Sequence, residues 1–595
     1  MYNGDEKLVI AVDLGTTNSG ISFAHLQPGA APRVRSVTRW PGQEDAAGDS
    51  KIPTLVRYKE GKPIAFGADA VDDPDVEGGP VSYLASWFKL HLHPSTMRSS
   101  SNIAVPPLPP KITLKQVYAD FLSFIFKHAV EFFTTSAHDG ERIWSRLNNT
   151  VVIILATPNG WDSYQQGFLH DAIVVAGVLP QGFEPDRLQF VTEAEASVHY
   201  ALEHTRGGEW LTAGAHFAVL DAGGSTVDTT VYRCVSTTPK VVLEEVTGSE
   251  CVQAGSVFVN RDAERLLKLK LANSKFNDSA FISAMLDVFE RKTKRRFDGS
   301  DEASVIAFGR MQDNDPSCDI SRGRLTMTSD EVKLAFQNSL ADIMDSCARI
   351  IERSPKVCDT VLLVGGYSDS AYLRATLREK FAIRGIQFIT ADDSTKKAAA
   401  EGATSWYTKQ LVQARAVRAH FGISLNEFFR DSKRSLKLES ERPEAKYIAA
   451  DGKPKIGPIL SIVAKKHEVI SVESRKTFKY AHHFASKPDI EEMRNCSMTI
   501  FAFDADTPPD WVYVRHSETK SLSPGVRRVC EIVCDLSTMY DGFKSEVNPK
   551  GQEYWTIEYE FEVSFGTNSL QAEVQWKVNN VYKKSPLQAI PGSFV

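Results

Sequence analysis

The stretch LVIAVDLGTTNSGISFAH, from Leu8 to His25, constrains this chain more than any other. An apolar run ends in Asp13, turns through Gly15, Thr16, Thr17 and Asn18, and at once becomes apolar again. A short apolar run bounded by polar turn residues reads as a buried strand. Two of them joined by a tight turn read as a hairpin, here with a carboxylate, glycine and hydroxyls crowded at its tip. The device returns 208 positions later, where FAVLDAGGSTVDTTVY sets Asp221 in the place of Asp13 and Gly223 in the place of Gly15. A third stretch, VLLVGGYSDS, ends another strand-like run in Gly365 and Gly366.

These residue types in this order point to phosphate chemistry. Glycine lets the backbone approach a phosphate and turn its N–H groups inward. Threonine and serine add short donors. Asp13 and Asp221 stand where strands end, suited to a magnesium ion held through water rather than in a protein cage. Two facing hairpins can clamp a triphosphate between two halves of a domain, while the third turn accepts the nucleoside. One such turn is equally a plain hairpin tip; three in this order are a specific signal.

The rest of the chain sets bounds. Its 595 residues exceed one ordinary core, so two to four domains are expected. A hydrophobic share of 42% and a charged share of 24% belong to the soluble globular class, and a net charge of −6 gives no support to a dedicated nucleic-acid binder. The longest apolar runs, VVIILA at Val151 and AIVVAGVL at Ala172, fall short of a bilayer span. MYNGDEK has neither a basic n-region nor an apolar h-region, so the expectation is a cytoplasmic, and also nuclear, protein without membrane partners. Only Cys530 and Cys534 are close among eight cysteines, at a spacing foreign to zinc or redox motifs, so all eight read as reduced thiols. His91 and His93 read as ordinary polar residues, and the RKTKRR run at Arg291 as a solvated helix face.

From Leu8 to about Lys409 strand and helix signals alternate, an α/β pattern. The spacing predicts helices over Leu114–Phe133 and Thr328–Ile351, the second opened by a capping box of Thr328 and Glu331. From about Ala419 the texture turns strand-rich. In WTIEYEFEVSF, Ile557, Tyr559, Phe561, Val563 and Phe565 alternate with polar residues; after Gly566-Thr567-Asn568, Leu570, Ala572, Val574, Trp576 and Val578 do the same. This predicts an amphipathic hairpin with one buried face.

VDLGTTNSG resembles the first phosphate motif of the actin-like ATPase superfamily, and within it that of the heat shock 70 kDa chaperones. LDAGGSTVD resembles the second phosphate motif, LLVGGYSDS the adenosine motif, and ATPNGWDSYQQGFLHDAIVVAGV the connecting segment. The resemblance covers roughly residues 8 to 410; Trp87-Phe88-Lys89 and DAGG bring it nearest to the divergent heat shock 70 kDa protein 12-like branch. It implies a two-lobed actin-like, ribonuclease H-like ATPase domain, with lobes at 1–210 and 211–410, followed by a β-rich C-terminal domain at 411–595 that is a reduced substrate-binding module.

The resemblance also implies roles and ligands, with ATP and Mg²⁺ as cofactors. Gly15, Thr16, Thr17 and Asn18, with Gly223, Gly224, Ser225 and Thr226, would meet the phosphates. Asp13 and Asp221 would hold the hydrated metal, and Glu193 would help place the attacking water, with Asp228 a second acid near it. Lys89 matches the catalytic lysine; Glu290, Lys294, Gly365 and Gly366 match the nucleoside side. Read without the resemblance, Glu193 is a first-turn acid favoured by a helix dipole, and Lys89 a solvated lysine on a helix. The activity implied is that of a chaperone-like ATPase, a slow ATP hydrolase, whose β-rich domain takes a polypeptide client or protein partner.

The chain departs from the family at several points. Ser225 replaces a third glycine, and Tyr367-Ser368-Asp369-Ser370 stands where an arginine stacks near adenine. QLVQARAVRAHFG is not a leucine-rich acidic linker, no long helical lid follows, and PGSFV is not an acidic tail. Three alternatives stay open: a small-molecule kinase of the superfamily with Asp228 as base, a non-hydrolysing nucleotide-sensing scaffold, and a small-molecule enzyme repurposed on this fold. P-loop and protein-kinase readings lack their motifs, G-x4-G-K-[ST] and H-R-D.

Overall fold

Strand β1 (Lys7–Asp13) runs antiparallel to β2 (Asn18–Leu26), with Asp13 opposite Gly20. β3 (Lys51–Pro53) pairs with β2, setting Lys51 opposite Gly20. Helix α1 (Leu114–Ser136) starts where the sequence predicts and runs three residues further. β4 (Val152–Thr157) lies parallel to β1, and β5 (Leu188–Thr192) parallel to β4. In this computed structural model the described residues are all of 1–595 except 72–80, 95–104, 160, 162, 206–209, 239, 391–396, 472–473, 518, 543–544, 566–569, 579–580, 586–587 and 591–595.

Both faces of this first sheet are covered. Leu8, Ile10, Val12, Ile21, Phe23, Ile153 and Leu155 share one core with α1, while Val9, Ala11, Ala24, Leu26, Val152 and Ile154 share another with Ala196, Ala403 and Trp406. A strand buried on both faces has no solvent-facing positions, which is why LVIAV and VVIIL read as unbroken apolar runs.

Helix α2 (Glu193–His204) leads to the second sheet. There β6 (His216–Ala222) pairs antiparallel with β7 (Val227–Ser236), with Asp221 opposite Asp228. Helices α3 (Ser256–Lys270) and α4 (Ser329–Glu352) follow. β8 (Cys358–Val364) is parallel to β6, and β9 (Gln387–Thr390) is parallel to β8. The first sheet's arrangement, a hairpin followed by two parallel strands, is thus repeated. The capping box of α4 is present: Thr328 Oγ1 accepts from the Glu331 N–H at 3.2 Å, and Glu331 Oε2 from the Thr328 N–H at 2.8 Å. Helix α5 (Ala398–Lys409) packs on α2 so closely that a Cβ at Gly402 would stand 1.8 Å from the Ala196 carbonyl oxygen.

These elements belong to one compact unit, Met1–Leu243 with Ser249–Val412; the second is Glu244–Gly248 with Gln413–Val595. In the second unit, one sheet runs Pro454–Ala464, His420–Phe428, Cys496–Phe503, Val526–Cys534, and another Arg475–Phe484, Glu553–Phe565, Leu570–Val578. Phe421, Ile500 and Ile532 from the first sheet and Phe561, Val574 and Trp576 from the second share one core. The amphipathic hairpin forms, with Phe561 opposite Val574 and Phe565 opposite Leu570; its turn, Gly566-Thr567-Asn568, lies outside the described residues, as does PGSFV. Its other face differs from expectation. Glu573 and Gln575 are buried, and Glu573 Oε1 accepts from Gln575 Nε2 at 2.7 Å and from Lys584 Nζ at 2.5 Å, because Leu570–Val578 is an interior strand with Val581–Lys584 beside it. All eight cysteines are free thiols, and among the described residues no helix is long and apolar enough to cross a membrane.

Candidate functional site

The three Gly-rich turns meet around a cavity of about 420 Å³ in the first unit. In the first turn a Cβ at Gly15 would lie 2.1 Å from the Asn18 carbonyl oxygen, so the turn closes only on glycine. The Thr54 N–H, just past β3, donates to the Thr17 carbonyl at 2.9 Å and holds the tip. In the second, the Gly223 N–H donates to the Thr226 carbonyl at 2.9 Å. The start of α3 holds that tip from behind: the N–H groups of Gly255 and Val257 donate to the carbonyls of Ser225 and Gly224 at 3.0 and 2.9 Å. The two tips touch, with Thr16 Oγ1 and Ser225 Oγ 2.8 Å apart. Ser225 therefore adds a hydroxyl contact that glycine cannot make.

The third turn closes onto the second. Gly365 has φ +86°, and a Cβ there would lie 2.3 Å from Asp221 Oδ1. Gly366 opens a single 3₁₀ turn, Gly366–Asp369, rather than a second strand.

Lys89 is buried and not on a solvated helix face. It lies in a one-turn 3₁₀ helix, Phe88–Leu92, whose Phe88 ring packs edge-on against Tyr118 and Phe121 of α1. Anchored so, Lys89 Nζ reaches Glu193 Oε1 at 2.7 Å and lies 5.4 Å from the Trp161 ring centroid. Glu193 is at the same time the first-turn acid of α2, after its N-cap Thr192.

The electrostatics are those of crowded carboxylates. Burial pushes the Asp221 carboxyl up to about 7; the Ser197 hydroxyl, donating to its Oδ2 at 2.8 Å, and Lys51 pull the other way, while Asp228 and Asp13 push with burial. Burial likewise raises the Glu193 carboxyl, against the pull of Lys89 and with Asp13 and Asp221 adding to it. Lys294 is lowered by burial and donates to Asn260 Oδ1 at 2.8 Å. Buried carboxylates that raise one another's affinity for protons form an oxygen-donor set that a hard cation relieves. Among the described residues no three His, Cys, Asp or Glu side chains converge as a cage, so a divalent ion fits only with water completing its shell.

The cavity brings together Asp13, Gly15, Thr16, Thr17, Asn18, Lys89, Glu193, Asp221, Gly223, Gly224, Ser225, Thr226, Glu290, Lys294, Gly365 and Gly366. Asp228 is not on its wall; it is buried behind, opposite Asp221 in the β6–β7 ladder. Of the RKTKRR run Thr293 and Lys294 are buried, while Arg295, exposed for most of its length, reaches the cavity wall. His91 Nε2 is 2.8 Å from the Pro106 carbonyl and His93 packs edge-on to Trp161, away from any metal-like cluster among the described residues. Lys51, Ser197, Tyr367 and Asp369 also line the cavity and belong to no reading of the sequence as site residues. Tyr367 and Asp369 lie within a motif already singled out; for Lys51 and Ser197 the sequence carries no signal.

No protein-family model matches the chain. The curated "Heat shock 70 kDa protein 12B" of Homo sapiens is 24% identical over 473 residues, 65% of this chain and 66% of that protein. "Heat shock 70 kDa protein 12A" of Mus musculus is 22% identical over 455 residues, 63% of this chain and 66% of the relative, and the Homo sapiens protein of that name is 22% identical over 457 residues with the same shares. The match thus spans just under two thirds of the length of these relatives. The turns at Asp13, Asp221 and Gly365 and the relatives agree: the chain is similar to the heat shock 70 kDa proteins, on their 12-like branch.

Proposed function

We propose that the chain is an atypical chaperone-like ATPase. It binds Mg·ATP between two lobes, 1–210 and 211–410, of an actin-like, ribonuclease H-like domain, hydrolyses it slowly, and uses the nucleotide state to control a β-rich binding domain at 411–595 that takes a polypeptide client. The observation that carries the reading is that one cavity gathers both D-x-G hairpin tips, the Gly365-Gly366 turn and the Lys89–Glu193 pair.

Phosphoryl transfer to water needs positioning and charge neutralisation more than covalent chemistry. Glycine backbone at the two tips, with the hydroxyls of Thr16, Thr17, Ser225 and Thr226, cradles the phosphates. The Lys89 ammonium meets charge on the transferred group and, through its contact with Glu193, holds that carboxylate in place. Glu193 orients the attacking water. Asp13 and Asp221 would hold Mg²⁺ through water, and the ion would supply positive charge beside the phosphates. Asp228 is a positioning residue that acts through Asp221. Glu290, Lys294 and the Gly365-Gly366 turn receive the nucleoside.

Calorimetric titration with Mg·ATP tests the reading. Wild type binds, and Gly224→Val, whose Cβ would lie 2.9 Å from Thr17 Oγ1, binds at least about tenfold more weakly. A folded wild type that takes up no ATP sinks the reading.

A further inference from the structure

Lys51 stands outside every motif that points to nucleotide, yet its ammonium ends at the cavity wall, ion-paired with Asp13 Oδ2. The two side chains are only 13% and 11% exposed. The contact is built across three neighbouring strands: Asp13 on β1 is opposite Gly20 on β2, and Gly20 is opposite Lys51 on β3. Glycine is what leaves the path clear, since a Cβ at position 20 would lie 3.0 Å from Lys51 Cδ and 3.3 Å from Cε. The lysine stem crosses over that glycine to reach a carboxylate two strands away. An ion pair in such a poorly hydrated place is screened little by salt.

We propose that Lys51 is a built-in counter-cation of the phosphate site, which makes nucleotide binding less dependent on a divalent cation than Asp13 and Asp221 alone would make it; this rests on the nucleotide reading of the cavity. Without Lys51, Asp13 and Asp221 repel a triphosphate unless a divalent ion intervenes. With it, one of those charges is met by a group that cannot leave. The same ammonium competes with a divalent ion for Asp13, so both effects narrow the gap between ATP affinity with and without the ion.

The test is the ratio of the ATP Kd measured in EDTA to that measured in Mg²⁺, on the full chain, for wild type, Lys51→Met, Lys51→Arg and Gly20→Ala. The ratio is expected to rise by about tenfold or more in Lys51→Met, the scale of one lost contact to a charged group. It is expected to stay near wild type in Lys51→Arg and to rise in Gly20→Ala, where the stem is displaced. Should Lys51→Met fail to fold, Gly20→Ala and Lys51→Arg carry the comparison. Unchanged ratios in folded variants that bind ATP would overturn the inference alone, leaving Lys51 as a tie between strands. A wild type that binds ATP in neither condition overturns the nucleotide reading and this inference with it.

Discussion

Glu193 is where the forces in the cavity conflict most directly. Burial raises its carboxyl, Lys89 at 2.7 Å pulls it down, and Asp13 and Asp221 push it up again. At 14% exposure the side chain is not sealed from water, which suits the proposed role of orienting one. Glu193→Gln keeps the shape and loses the charge, so ATP binding is expected to persist while ADP formation slows by roughly 10²–10⁴, as loss of a positioned acid–base group does. Lys89→Met is expected to move the alkaline-rising limb of the hydrolysis profile to higher pH, because the group that favours the ionised carboxylate is gone; a limb that stays put would detach Lys89 from Glu193. The glycines, threonines and aspartates of the tips were legible because they sit in consecutive, unusual order. Lys51 was not, because only the pairing of β3 with β2 carries position 51 over Gly20 to Asp13. Pairing between strands so far apart in sequence leaves no local pattern.

The elements that hold the site show where close approach is built in. Gly402 lets α5 lie against α2, and Trp406 Nε1 on the same helix donates to Glu195 Oε1 at 2.9 Å. Gly402→Ala is expected to cost at least about 1–3 kcal/mol in urea denaturation, since a methyl group there meets backbone rather than a movable side chain. Thr328→Ala removes the cap of α4 and is expected to cost about 1 kcal/mol, with the cavity unchanged. Helix periodicity exposed α4 in the sequence because it follows the ordinary 3.6-residue repeat. The FERKT segment hid its geometry for the opposite reason: Phe289–Thr293 makes a π-helical turn, and that wider turn shifts the register so that Lys294 is buried while Arg291, Lys292, Arg295 and Arg296 are exposed. Alternation revealed the hairpin Glu553–Phe565 with Leu570–Val578, yet not that Glu573 would be buried with Gln575 and Lys584 as partners.

Across the whole molecule the doubled D-x-G device was visible in the sequence, as was the change from α/β to strand-rich texture near the seam at Val412 and Gln413. What sequence could not show is that the two sheets repeat the same order of hairpin and parallel strands, because parallel partners are joined by long crossovers. The crowded carboxylates make stability depend on pH. Asp221 is held at about 7 when folded, against an ordinary 3.8, so the folded chain keeps a proton that the unfolded chain releases. That contribution is full below the ordinary carboxylate range and lost as pH rises through about 7. In EDTA, wild type is expected to lose more urea stability between pH 5 and pH 8 than Asp221→Asn; equal losses would contradict the assignment. ATP and Mg²⁺ at about 100 times Kd are expected to stabilise the wild type by about 2.7 kcal/mol. The most direct test of the central claim is a single-turnover assay, with protein in excess over trace labelled Mg·ATP and both bound label and ADP followed. The account requires that wild type bind label and form ADP, that Glu193→Gln bind without forming it, and that Asp221→Asn bind weakly. A folded wild type that leaves the label free, or a Glu193→Gln variant that turns over at the wild-type rate, would contradict it.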